Sequence, residues 1–310
     1  MDDILPPVLR LIALLVGLTL VVSACSGSDP AATVNGIPIE QARLEALHES
    51  SAPVTDDEQA SNLFLLILHQ LVTAGAEEEF GVTVTKAELD AAFTARTGGL
   101  GADADLAGRD VTRSRVLLEA ELDVIRGRLE EELVRSGGPG VDFESAYRDF
   151  LAVNSRACLI VLTLADTALG DEALAAAVER RVEDGEGLEA IFAAYPDETA
   201  RFDLGCHSPL EHGMELAPVA LDGELGRSYA RRHETGGVYV AMVTERDAPT
   251  ADEVRGEVVE FAIEKQGPEV FNQWAAELLI RAEVEVNDGI GSWEPAPGTG
   301  DLPTVVANTG

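Results

Sequence analysis

"CLIVLTLAD", Cys158 to Asp166, is a β-type run of aliphatic residues that follows a change of pattern at Asn154, where a mainly helical stretch ends. Reading onward, "DEALAAAVERRVEDGEGLEAIFAAY" (171–195) gives two helical pieces separated around Gly185. "FDLGCHSP" (202–209) reads as a strand with turns, and "GGVYVAMVTERD" (236–247) as a further strand. A β-α-α-β-β order packed into so short a stretch predicts a small α+β domain.

The flanks on either side predict helices. "ATVNGIPIE" (32–40) is a short β-type segment turning at Asn35–Gly36, followed by a helical stretch "QARLEALHES" (41–50). "SNLFLLILHQLVTAGAEEEF" (61–80) is densely apolar, broken by His69 and Gln70, and predicts a buried helix ending at Gly81. Thr85 and Glu88 have the spacing of a capping box ahead of Leu89 and Phe93. Residues 97–110 are Gly/Asp-rich and read as a loop, 111–136 as a charged amphipathic helix, and Asp142–Val153 as a short helix. Thr250 and Glu253 form a second capping box, opening a helical run to Ala282 that Gly267–Pro268 is expected to interrupt. The Gly/Pro/Thr-rich tail after Trp293 reads as flexible.

The 310 residues carry 56 Asp and Glu against 22 Lys and Arg, a formal charge of −34. Such a surface repels phosphate backbones and anionic lipid, so a nucleic-acid partner is excluded. The apolar run Leu11–Ala24, about 14 residues, falls short of a bilayer span and suits a signal-peptide core. Val22-Ser23-Ala24-Cys25 resembles a bacterial lipobox, which implies cleavage after Ala24 and lipidation of Cys25. The segment ahead of the run departs from the usual positive leader, with Arg10 set against Asp2 and Asp3. A cleaved signal followed by an incidental cysteine is the other reading. Removing residues 1–24 takes only those three charges away, so the protein part would not bind a membrane by itself.

"ATVNGIPI" (32–39), "EEEFGVTVTKAELDAAF" (77–93), the β-α-α-β-β middle and "FNQWAAELLIRAEVEVNDGIGSWEP" (271–295) together resemble the SurA/PrsA type of extracytoplasmic chaperone, in particular its actinobacterial lipoprotein branch. The resemblance covers about residues 32–295. It implies an α+β protein in which a mainly helical SurA-N-like chaperone domain is formed by N- and C-terminal segments around an inserted parvulin-like prolyl isomerase module. The corresponding divisions are 1–24 signal peptide, 25–32 tether, 33–153 helical domain, 155–247 degenerate parvulin-like domain, 250–293 helix returning to the helical domain and 294–310 flexible tail.

The isomerase signature departs from the family. A parvulin module resembles "HILV" in its first strand, "GGDLG" before its second and "GYHII" in its last, and the two histidines face each other across the proline pocket. Here the strands read Cys158-Leu159-Ile160-Val161-Leu162 and Gly237-Val238-Tyr239-Val240-Ala241, without histidine, and "GGDLG" survives as Arg201-Phe202-Asp203-Leu204-Gly205. The connection from Gly205 to Gly223 is also shorter than the family's. Catalysis must lower an amide barrier of about 18–20 kcal/mol, which needs a dry pocket stabilising the twisted amide. Little or no isomerase activity is expected, with Asp203 and Tyr239 as the weak catalytic candidates. The resemblance also implies a Cys158–Cys206 disulfide, since the actinobacterial relatives look similar at both places and Cys25 goes to lipid. Two buried free thiols are the alternative.

No cofactor is implied. His207 and His212, with Cys206, Asp203 and Glu211 nearby, match no zinc spacing and predict no metal site. His48, His69 and His233 stand alone in sequence, and His69 reads as a cap or edge of the core. "GGLGAD" (98–103) lacks a strand-turn-helix setting, and no Gly-x-Ser-x-Gly elbow occurs. Met214 is open to two readings, a remnant of the family's pocket methionine or an ordinary methionine. The expectation is a lipid-anchored chaperone facing outward from the cell membrane, holding unfolded or nascent exported proteins with helices at 61–80, 86–95 and 253–282. The alternatives are an active parvulin-type isomerase using Tyr239, Cys206 or Asp203, and a structural envelope lipoprotein with one dedicated partner.

Overall fold

The computed structural model describes residues 29–48, 54–98, 112–164, 171–232, 237–295 and 302–308. Cys25, the run preceding it, His233 and most of the 97–110 loop lie outside the described residues. In chain order the elements are β1 (Ala32–Val34), β2 (Ile37–Ile39), α1 (Gln41–Glu45), α2 (Asp56–Phe80), α3 (Lys86–Thr97), α4 (Arg113–Arg135) and α5 (Phe143–Asn154). There follow β3 (Arg156–Leu164), α6 (Glu172–Glu183), α7 (Leu188–Ala194), β4 (Thr199–His207), a 3-10 turn (Pro209–His212), α8 (Ala217–Asp222), β5 (Ser228–Arg232) and β6 (Val238–Asp247). The chain closes with α9 (Arg255–Arg281), β7 (Val284–Val286), β8 (Gly291–Pro295) and β9 (Pro303–Ala307). It is a mixed helix-and-sheet protein that divides into two compact units, residues 1–128 with 274–310 and residues 129–273. Among the described residues no helix is long and apolar enough to cross a membrane.

In the first unit β1 and β2 share one small sheet with the distant β7, ordered β2-β1-β7, with Ala32 opposite both Ile39 and Val286. Its core is Val34, Ile39 and Leu44 packed with Leu63, Leu66 and Ile67 of α2. The local signals for α2 and α3 are realised as written. Thr55 accepts from the Glu58 N–H, Gly81 closes α2 in the left-handed region at φ +66°, and Thr85 and Glu88 form the capping box of α3.

Residues 303–307 are a correction to the flexible tail expected over 294–310. Pro303–Ala307 pairs antiparallel with Gly291–Pro295, Trp293 opposite Val305. Val305 is buried in the same core, and Trp293 stacks on Phe64 at 6.2 Å. Apolar contact thus orders a short segment whose Gly/Pro surroundings read as coil.

In the second unit a four-stranded antiparallel sheet is ordered β4-β3-β6-β5. One face, with Leu162, Leu164, Val238 and Val240, packs on Ala175, Val178, Leu188 and Ile191 of α6 and α7. The opposite face, with Ala157, Leu159, Val161, Ala241 and Val243, packs on Leu216, Val219 and Ala220 at α8. Both faces being covered explains why "LIVL" reads as continuously apolar rather than alternating. A separate cluster joins Val134, Ala146 and Phe150 to Val254, Val258 and Ala262.

Two elements of this unit, β5 and α8, are absent from the β-α-α-β-β reading. β5 is the short edge strand "SYARR", held by pairing with β6 from Ser228↔Met242 to Arg232↔Val238. Helix α9 also runs unbroken through Pro268, contrary to the expected interruption. A mid-helix proline costs about 3 kcal/mol, and buried residues on both sides of it, Ala262 and Val270 among them, offset that cost.

Candidate functional site

The sheet of the second unit carries the two catalytic candidates. Asp203 is opposite Ile160, and Tyr239 is opposite Thr163. Directly paired residues share a sheet face, and faces alternate along a strand, so partners of positions 160 and 163 lie on opposite faces. Packing agrees: Ile160 contributes to the α6/α7 side and Tyr239 to the α8 side. The structure therefore does not bring Asp203 and Tyr239 together.

The Asp203 Oδ1 accepts from the Gly205 N–H at 2.9 Å, closing an irregularity where Gly205 adopts φ +71°. Burial, and secondarily the Glu215 carboxylate, push the Tyr239 phenol above its usual range.

Val161 is 2% exposed, in the cluster that includes Leu216, Val219 and Ala220. Cys158 lies directly across from Cys206, and the two sulfurs are bonded. Arg156 Nη2 donates to the Cys206 carbonyl at 3.1 Å. His207 and His212 meet edge to face at 5.6 Å, and His212 Nε2–H donates to the Ala157 carbonyl at 2.7 Å. Glu211 is drawn into capping Ser208, which holds its carboxyl below the usual range. Among the described residues no group of three or more His, Cys, Asp or Glu side chains is arranged to hold a metal.

The first unit contains a site that the sequence reading passed over. His69, on α2, is 7% exposed and not alone. Its Nδ1 lies 3.2 Å from Arg43 Nη2 and its Nε2 lies 2.9 Å from Glu121 Oε2. A guanidinium only donates, so Nδ1 accepts and Nε2 carries the proton given to Glu121. Burial lowers the His69 pKa, with Arg43 acting in the same direction and Glu121 against it, which keeps the ring neutral in this tautomer. The trio borders a cavity of about 250 Å³ whose other walls are Ala46, Leu47, Leu66, Ser114, Leu117 and Leu118. The only sequence signal was the polar pair His69–Gln70 inside a strongly apolar helix.

No protein-family model matches the chain, and no curated protein matches it. Its similarities are to solved SurA-like chaperones and PrsA proteins. A SurA-like chaperone from Campylobacter jejuni is 13% identical with a TM-score of 0.32, over 84% of this chain and 100% of that one. The peptidylprolyl isomerase PrsA from Bacillus cereus is 15% identical with a TM-score of 0.46, over 85% and 95% respectively. PrsA from Bacillus subtilis is 15% identical with a TM-score of 0.33, over 78% and 94%. Likenesses this low carry nothing about activity.

Proposed function

We propose that this chain is a lipid-anchored, extracytoplasmic chaperone that holds unfolded exported polypeptides, and that its four-stranded module does not catalyse prolyl isomerisation. A catalyst of that reaction must present polar groups to a twisted amide inside a dry pocket. The α8 face instead presents Ala157, Leu159, Val161, Ala241 and Val243, packed against Leu216, Val219 and Ala220. This packed apolar face is the observation that carries the reading. Of the two candidates only Tyr239 lies on that side, since Asp203 belongs to the other.

Holding needs accessible apolar surface and a means of keeping the complex dispersed. Met214 is 89% exposed and Phe202 49% exposed. The charge of −34 opposes aggregation of chaperone and client alike. The anchor reading rests on Val22-Ser23-Ala24-Cys25, where lipidation would retain the protein at the membrane its acidic surface avoids. The test is aggregation of an unfolded exported protein with increasing amounts of the chain. Suppression near stoichiometry supports holding, whereas no suppression at any ratio rejects it.

A further inference from the structure

We infer that the cavity beside His69 is a client-anchoring pocket that takes one aliphatic side chain of an extended polypeptide together with the peptide group next to it. The inference rests on the holding function proposed above and supplies the chemistry of what is held. Ala46, exposed, and Leu117, half-buried, give the cavity its accessible aliphatic wall, backed by the buried Leu47, Leu66 and Leu118. Its volume, about 250 Å³, lies below the roughly 300–1,000 Å³ typical of sites for drug-sized ligands. It suits a single side chain rather than a cofactor.

The polar border selects the rest of the ligand. His69 engages one nitrogen of Arg43 and one oxygen of Glu121. A guanidinium has five N–H donors and a carboxylate about four acceptor sites, so both groups have capacity beyond the imidazole. A free carboxylate entering here would gain Arg43 but meet Glu121, and an ammonium would gain Glu121 but meet Arg43. A neutral peptide group satisfies both, its carbonyl accepting from Arg43 and its N–H donating to Glu121. The fixed tautomer of His69 sets the spacing of this donor and acceptor, which makes His69 a positioning residue. Sequence-independent recognition of backbone beside a generic aliphatic side chain is what a chaperone of many clients requires.

The experiment uses the purified chain with methyl-labelled leucine and a soluble extended peptide of Gly, Ser and Asn carrying one Leu. The expected result is a saturable shift of the Leu47, Leu66 and Leu118 methyl signals, absent when the peptide's Leu is replaced by Asp. Arg43→Gln, on the exposed α1, is expected to weaken binding about tenfold, equivalent to about 1.4 kcal/mol. Ala46→Phe, which fills the cavity, is expected to abolish it. Unmoved methyl signals in the wild-type chain would overturn the pocket assignment without requiring any variant to fold. So would wild-type affinity in both variants. If aggregation suppression persists in that case, the pocket fails alone. If the chain suppresses no aggregation, the holding function fails, and that result is read independently of the methyl signals.

Discussion

Cys158 stands directly opposite Cys206 in the antiparallel ladder of β3 and β4, with their sulfurs bonded across 48 positions of sequence. The ladder is irregular beside the bridge, shifting register at Leu159/Ile160 against β4 and at Cys158/Leu159 against β6. A one-residue slip would send Val161 and Leu162 to the wrong faces, and the covalent link forbids it. Closing this loop removes about 4 kcal/mol of unfolded-chain entropy at 25 °C in the chain-entropy account. The Cys158→Ser, Cys206→Ser double variant is therefore expected to lose up to about that much stability, measured by urea unfolding. Reduction of the wild-type chain should shift the midpoint similarly, and an unchanged midpoint would refute the bridge's stabilising role.

His69 makes stability depend on pH in a predictable direction. Its folded pKa lies below the ordinary value of 6.5 because burial disfavours the charged ring. Below that ordinary value the unfolded chain therefore binds more protons at this position than the folded one. The contribution is complete above about pH 6.5 and is lost as pH falls through the depressed folded pKa. Urea midpoints measured from pH 7.5 downward should decline in the wild type and decline less steeply in His69→Gln. Equal slopes would show that the ring titrates as if exposed.

Gly75 sits inside α2, where helix propensity alone favours alanine by about 1 kcal/mol. A Cβ there would come within 3.0 Å of Leu278 Cδ1 and 3.1 Å of Trp274 Cζ2. The indole is pinned, because Trp274 Nε1–H donates to Glu79 Oε2 at 2.8 Å. Overpacking of this kind costs about 1–3 kcal/mol, so Gly75→Ala is expected to destabilise, by about 1 kcal/mol net. A higher Tm in the variant would contradict the close approach.

Cys25 is expected to determine the protein's location. Cys25→Ala should move the protein from the membrane fraction to the soluble extracytoplasmic fraction. Retention at the membrane in that variant, with removal of residues 1–24 verified by mass, would reject lipidation as the anchor.

Short-range features of the fold were legible in the sequence. The Thr85/Glu88 box acts within one helical turn and forms as its spacing predicts. Of the Thr250/Glu253 pair only the half in which Glu253 Oε2 accepts from Thr250 forms, because the Glu253 N–H donates to the Thr250 carbonyl and the helix begins later, at Arg255. Features set by distant partners were not. Pro268 reads as a break, yet the packing along α9 keeps it helical. "SYARR" lacks a hydrophobic run and becomes a strand because β6 offers it an edge. Asp203 and Tyr239 can be placed on opposite faces only once the register around the Leu159 irregularity is known. His69 finds Arg43 and Glu121 at separations of 26 and 52 residues, beyond any local pattern.

A proline-limited refolding assay tests most directly whether the chain holds clients while its four-stranded module catalyses nothing. Uncatalysed X–Pro isomerisation takes tens to hundreds of seconds, slow enough to isolate as a kinetic phase. With the purified chain at catalytic ratios, that phase is predicted to keep its uncatalysed rate, while suppression of aggregation emerges only near stoichiometry. Acceleration of the phase at sub-stoichiometric dose would contradict the account.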